Sequence, residues 1–422
     1  MKKLGEEINF EHMSSAKYWE KAIEYAVSGR DLSLYQLQRA RIDHRIARKR
    51  KEFGPGVKFM RTDKARLFNE SMMAWGLKGK IYERRAAAAA AAGAVETEES
   101  SILKSFIPVY TPPPPRSDAE AAFAAYNFRI DTIEDQGLQD PRAKMQDPRA
   151  RWYRVRYEDF MWDIFQARYN MECSFALVPL FAAQNNGEVD TALFGTTTTT
   201  SSSSNNGILL PVSIARQFDT GMLAVVPDIS DANPADDAAK WMCTTPREYK
   251  VKSYDIETQH ESGCKIVDLC ALRWADQSNR SYRELDGWKL TFPSCGSRNR
   301  SGECYLFFHY CVQVLRRAWK GLPAGEEMFV SDWGAVGKYV DREQMRAVID
   351  ELGCEYESLM SCAGEGIGSG AGDRYVLLEA LAEHVIVSNQ RYMSRDELYG
   401  DEEDEGSSDE DDDDGYYPWI SE

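Results

Sequence analysis

The centre of the chain holds four carboxylates whose side chains could bind a hard cation. They are Glu172, Glu188, Asp190 and Asp219. Carboxylate oxygens are the ligands that divalent cations such as Mg²⁺ prefer. The same residue types also serve as solvated loop residues or helix caps, and the spacing alone leaves both roles open. None of the five histidines adjoins these carboxylates: they are His12, His44, His260, His309 and His384.

His309 needs separate consideration, because Cys304 and Cys311 flank it in an apolar, aromatic stretch. A zinc site and a buried core histidine are the two alternatives. Cys304 and His309 are five residues apart, and this spacing does not put them on one face of a helix. We therefore expect His309 to be a core residue with satisfied hydrogen bonds.

The nine cysteines do not form a disulfide or zinc-ribbon pattern. Their number is odd, and no Cys-x-x-Cys occurs. Reduced, buried thiols in an intracellular protein are the interpretation that this pattern favours.

The stretch from Asn205 to Pro227 is the one that would position a central site. Asn206-Gly207 predicts a tight turn, because both residue types tolerate a positive φ. The apolar residues of 208–218 have roughly helical spacing and predict a helix that closes at Asp219-Thr220-Gly221. Residues 222–226 then predict a short strand that stops at Pro227.

Several landmarks in this order resemble the fungal HNH-endonuclease domain family, over roughly residues 120–355. The first are Trp162 and the segments 174–179, 193–195 and 206–210. Downstream segments that look like family signatures are 285–290, 305–311 and 333–339. The resemblance implies a ββα fold whose two motif histidines are replaced, with Ala176 at the first position and Ala215 at the second.

In such a site, the resemblance implies, the first histidine is the general base, the asparagine orients it, and the later histidine binds a divalent metal. A methyl group can neither accept a proton nor coordinate a metal. Only Asn206 matches its motif position, and shaping the Asn-Gly turn explains it equally well. We expect Ala176 and Ala215 to face each other across the ββα frame, with Asn206 close to Ala176.

Two functions follow from this pattern. One is a catalytically inactive HNH-like protein that acts as a binding or scaffold module without a cofactor. The alternative is an active endonuclease that holds a divalent metal through substitute carboxylates and cleaves DNA. Whether the chain is an enzyme stays open at this stage.

A basic cluster closes the second of two helices expected near the N-terminus, from Ala16 to about Gly29 and from Asp31 onward. Its cations are Arg45, Arg48, Lys49, Arg50 and Lys51. Cations suit the C-terminal end of a helix dipole, so a solvated helix end is one interpretation. Contact with nucleic acid or nuclear import is the other, and the expected location is intracellular and nuclear.

The expected fold class is α+β, with a degenerate ββα core and added strands and helices. Seven successive alanines, 86–92, and a polyproline run, 112–115, predict a low-complexity linker at 86–117. It would separate a helical region, 1–85, from an HNH-like core, 118–325. A helical part, 326–395, and a disordered acidic tail, 396–422, would follow.

The net charge of −17 is concentrated at the C-terminus. Residues 401–422 hold twelve acidic groups and no Lys or Arg, which leaves −5 for the rest of the chain. This self-repelling tail is predicted to be disordered, with Ser407 and Ser408 as phosphorylation candidates and its aromatic end as a contact for a protein partner. No signal peptide and no membrane-spanning run is expected.

Overall fold

A computed structural model describes residues 16–50, 59–92, 160–171, 175–181, 187–194, 206–230, 234–253, 285–292, 301–319, 333, 339–340, 342–352 and 374–396. Within them the protein mixes α-helices with small antiparallel sheets, as the expected α+β class requires. The predictions for the tail and for most of the linker lie outside the described residues.

Two long helices form an antiparallel pair at the N-terminal end: α1, Ala16–Lys49, and α2, Asp63–Ala92. The expected break near Gly29 is wrong, since α1 runs through it. Gly29 is needed for close packing: a Cβ there would lie less than 3.0 Å from the Trp75 ring. The seven alanines continue α2 to Ala92, because alanine has the strongest helix propensity. The linker therefore does not begin at residue 86.

The described residues that follow contain seven short strands, all paired antiparallel. They are β1, Phe160–Asp163; β2, Arg168–Met171; β3, Phe175–Pro179; β4, Gly207–Pro211; β5, Leu223–Pro227; β6, Tyr249–Ser253; and β7, Lys289–Leu290. β1 pairs with β2, β3 pairs with β4, and β5, β6 and β7 make a three-stranded sheet in that order. The strand expected at 222–226 is confirmed as β5 to within one residue at either end.

The helix predicted to begin at Ile208 begins four residues later. Residues 207–211 are β4, and α4 spans Val212–Asp219. Proline disfavours the helical conformation in the residue before it, so Pro211 keeps Leu210 extended. The apolar run at 208–210 therefore completes a strand pair with β3. Gly221, with φ 94°, follows the end of α4, as the predicted Asp219-Thr220-Gly221 closure requires.

The remaining helices are α3, Gly187–Phe194; α5, Pro234–Cys243; α6, Glu303–Trp319; α7, Arg342–Leu352; and α8, Val376–Asp396. The apolar, aromatic stretch around His309 forms α6, and every residue from Tyr305 to Arg316 is buried. α6 packs against β5, α2 and α8. One hydrophobic core, with residues from α1 through α8, surrounds it.

Candidate functional site

The antiparallel pair of β3 and β4, followed at once by α4, is the unit in which we predicted a site. Phe175 pairs with Pro211 and Pro179 with Gly207, so the two strands align over five residues. Side chains alternate across the pair. Phe175 and Leu209 pack together on one face, while Val178, Ile208 and Leu210 join the main core on the other. α4 covers this second face with Ile214, Ala215 and Phe218.

Both positions expected to carry replaced histidines lie on the core side of this unit. Ala215 is 1% exposed and belongs to the main core. Ala176 is partly buried and packs against the same core. Their methyl groups fill apolar space, so these two positions offer neither a base nor a metal ligand.

Asn206 lies immediately before β4, at the end of the strand pair where β3 ends. Its Oδ1 accepts a hydrogen bond from the Phe181 N–H at 2.8 Å, and its Nδ2 donates to the Phe181 carbonyl at 2.8 Å. The expected proximity to Ala176 is wrong. Ala176 pairs with Leu210, four residues from Asn206, which corresponds to about 13 Å along a strand. The Asn206 side chain therefore extends the β3–β4 pairing with two hydrogen bonds to the main chain of Phe181. It does not orient a group at position 176.

A buried ionic cluster lies at the C-terminal end of α4 and is centred on Arg316. This guanidinium is paired with Glu70 of α2 and donates to Ser388 Oγ at 2.7 Å and Asn389 Oδ1 at 3.0 Å. Its Nη2 also lies 3.4 Å from the Asp219 carbonyl. Burial lowers the pKa of Arg316, and the Glu70 carboxylate opposes that effect. Arg316 thereby fixes α2, α4 and α8 to α6.

Asp219 belongs to the same cluster. Its Oδ2 is paired with Arg391, and its Oδ1 lies 3.9 Å from His384 Nε2. The side chain is fully buried, so Asp219 is not a solvated loop residue, which was one of the roles left open for it. Within the described part of the chain, no group of three or more His, Cys, Asp or Glu residues could hold a metal ion. Glu172 and the side chains of Glu188 and Asp190 lie outside the described residues.

His309 and His384 are the two histidines of the cluster, and both are neutral. His309 stacks on Phe218 with ring centroids 3.9 Å apart, which confirms the expected core histidine. Burial, with the Arg316 charge, lowers the pKa of His309 to about 3. Burial and the nearby cations also lower the pKa of His384 well below its ordinary value. Both imidazoles are therefore packed in the protein interior and have almost no contact with solvent.

The basic cluster lies at the C-terminal end of α1. Arg45, Arg48, Lys49 and Arg50 are exposed there, where the helix dipole favours cations. Lys51, Ser407 and Ser408 lie outside the described residues.

The sequence interpretation missed Glu70, Arg316 and His384, which lie on three helices far apart in the chain. The available signal was a charged or polar residue on a helix face that is otherwise apolar, as Arg316 follows Val312 and Leu315 on α6. A charge at such a position is buried only if a partner meets it.

No protein-family model matches the chain, and comparisons with curated proteins and with solved structures found no significant similarity. None of the helices in the described ranges is long and apolar enough to cross a membrane.

Proposed function

We propose that this protein is a catalytically inactive, HNH-endonuclease-like binding module whose partner is nucleic acid. The observation that carries the proposal is the buried methyl group of Ala215 on α4, directly behind an antiparallel strand pair. The order of two strands and a helix is that of a ββα nuclease unit, yet core packing occupies the position where metal chemistry would require a nitrogen ligand.

Binding is assigned to the end of α1, not to the ββα unit. Residues 39–50 contain six Lys or Arg and one Asp, and Arg41, Arg45, Arg48 and Lys49 are exposed. Exposed cations displace counterions from phosphates, which makes the affinity steeply dependent on salt. The mildly acidic rest of the chain limits this contact to a small surface.

The test measures binding and cleavage separately. Fluorescence anisotropy with labelled duplex and single-stranded DNA is compared for the parent chain and for the α1 variant Arg41→Gln, Arg45→Gln, Arg48→Gln, Lys49→Gln. The slope of log affinity against log salt concentration should be smaller in the variant by about four at most, because each phosphate contact contributes roughly one. The control variant Arg30→Gln, Lys80→Gln, Lys240→Gln, Lys289→Gln removes the same charge from exposed sites elsewhere and should bind like the parent.

Supercoiled plasmid with Mg²⁺ or Mn²⁺ tests catalysis. The parent should leave the plasmid intact. Metal-dependent nicking that follows the folded protein through purification would instead support the endonuclease alternative. If the parent and both variants bind DNA equally weakly, the proposal that the partner is nucleic acid is wrong.

A further inference from the structure

The second half of α1 presents an apolar stripe to solvent. Leu32, Tyr35, Ile42 and Ile46 recur at three- and four-residue helical spacing, with Arg39 in the remaining position, and these four side chains are between 43 and 61% exposed. Single exposed apolar residues are ordinary, but a stripe of them on one helix face is typical of a surface that another segment covers.

Cations border the stripe. Arg41, Arg45, Arg48 and Lys49 are all exposed along the same part of α1. The segment that fits here needs apolar side chains for the stripe and carboxylates for its border. A second copy of α1 would bring a like-charged surface, and like charges directly opposite each other repel.

The last 22 residues of the chain have the complementary composition. Residues 401–422 contain twelve acidic groups and no Lys or Arg, and they include the aromatic run Tyr416-Tyr417-Pro418-Trp419-Ile420. Aromatic rings cover apolar surface and also bind Arg guanidinium groups through their faces. The carboxylates would pair with the cations of α1, and the aromatic side chains would pack on the apolar stripe.

The C-terminal end of α8, which precedes this segment in the chain, lies at the same end of the molecule as the stripe. α8 runs antiparallel to α2, since Glu383 meets Lys78 and Asn389 meets Leu67 and Ser71. α1 also runs antiparallel to α2, since Gly29 meets Trp75 and His44 meets Phe59. Both α1 and α8 therefore end beside the start of α2.

The reach is sufficient. α8 ends at Asp396, about 10 Å beyond Asn389 at the helical rise of 1.5 Å per residue. Helices packed on a common neighbour have axes roughly 20 Å apart or less. An extended chain advances about 3.3 Å per residue, so the few residues between 397 and 401 span most of that separation.

We propose that residues 401–420 of the same chain dock on the exposed face of α1 formed by Tyr35, Arg41, Ile42, Arg45 and Ile46. The aromatic end anchors the contact, and the acidic run supplies its electrostatic attraction without requiring a single tail conformation. This inference does not depend on nucleic-acid binding. It implies that the tail competes with any polyanion for α1.

Amide hydrogen exchange of the full chain, without nucleic acid, tests the docking. Peptides covering residues 35–49 should exchange about five-fold more slowly in the parent than in the tail variant Tyr416→Ser, Tyr417→Ser, Trp419→Ser, Ile420→Ser. The α1 variant and 1 M NaCl should weaken the protection as well, because salt screens exposed charges. The control variant with Lys80→Gln and its companions should keep the protection.

Carbodiimide coupling gives an independent readout. Tail carboxylates should couple to Lys49 within single chains, in preference to the exposed Lys80 and Lys240. Identical exchange of α1 in the parent and the tail variant would overturn the proposal. Protection that disappears on ten-fold dilution would assign the face to a second copy, and protection that requires added DNA would assign it to nucleic acid. Either result would also overturn it.

Discussion

Asn206 illustrates how one side chain can serve structure where a motif suggests catalysis. Its amide satisfies both main-chain groups of Phe181 at the end of the β3–β4 pair. The main-chain contact of the two strands continues one residue past Pro179 and Gly207, as Leu180 N–H donates to the Asn206 carbonyl at 3.2 Å. The clamp sets the distance between the strand pair and the aromatic cluster that Phe181 joins with Phe194 and Phe308.

Asn206→Ala should therefore destabilise the protein. It removes two hydrogen bonds and leaves a buried N–H and a buried carbonyl unpaired, for a loss of about 2–4 kcal/mol. Urea unfolding followed by circular dichroism measures the change. Gln38→Ala, at an exposed position of α1, should change the free energy of unfolding by less than about 0.5 kcal/mol. An Asn206→Ala loss no larger than that of Gln38→Ala would mean that the clamp contributes nothing.

His309 and His384 make stability depend on pH. The folded-state pKa of His309 is about 3 and that of His384 is also depressed, whereas a histidine in the unfolded chain titrates near 6.5. Above that pH neither state binds the proton. Below it only the unfolded state does, so stability falls as the pH is lowered from 6.5 towards 3. The groups facing these rings are Arg316, Arg391, Asp219 and Gln313.

The free energy of unfolding should drop by about 2–3 kcal/mol between pH 7.5 and 5.5, at up to about 1.4 kcal/mol per pH unit for each histidine. Denaturant titrations across that range measure it. The free energy of unfolding of the double variant His309→Gln, His384→Gln should change little over this pH range, even if the variant is less stable overall. His44→Gln, outside the cluster, should keep the parent's slope. A parent with no slope in this range would contradict the assignment of two neutral buried histidines.

At the scale of the elements, local patterns predict a helix end and a strand. The end of α4 follows from Asp219-Thr220-Gly221, and β5 follows from the apolar run at 222–226. Strand pairing does not follow from local pattern, because it is decided by segments far away in the chain: β3 meets β4 across the residues between Pro179 and Gly207. The same limit applies to Gly29, which is a helix stop by composition and a packing contact in the fold.

Gly29→Ala tests that contact. Alanine is the better helix former by about 1 kcal/mol, yet its Cβ would meet the Trp75 ring, so we expect a net loss of about 1–3 kcal/mol. Gly76→Ala is the matched control on α2, since nothing lies within 4 Å of an added Cβ there. It should be neutral or stabilising by up to about 1 kcal/mol. Thermal and urea unfolding of the two variants should give opposite signs, and equal gains would show that Gly29 is not a packing constraint.

Across the whole molecule, the N-terminal helices and the C-terminal helix form one body through buried charges. Lys78 of α2 donates to Glu383 of α8 at 2.5 Å, and Arg85 is paired with Glu379. Both pairs are almost entirely buried. The sequence could not reveal these pairs, because their members are about 300 residues apart and each charge alone is typical of a solvated helix face. The hydrophobic core likewise contains residues from both sides of the predicted region boundaries.

Lys78→Met should strongly destabilise the whole protein, by about 3–5 kcal/mol, because it leaves the Glu383 carboxylate buried without its partner. Adding Glu383→Leu removes that uncompensated charge and should restore most of the loss, since apolar pairs of similar volume replace buried ion pairs well. Lys80→Met, two residues away at an exposed position, is the control and should have little effect. Urea unfolding of the parent, Lys78→Met, Glu383→Leu and the double variant forms a double-mutant cycle whose coupling energy isolates the pair. Because the pair joins the two ends of the chain, fluorescence and circular dichroism should shift together in every variant. An additive cycle, or a separate early transition for the N-terminal helices, would show that the buried pair does not join the ends of this fold.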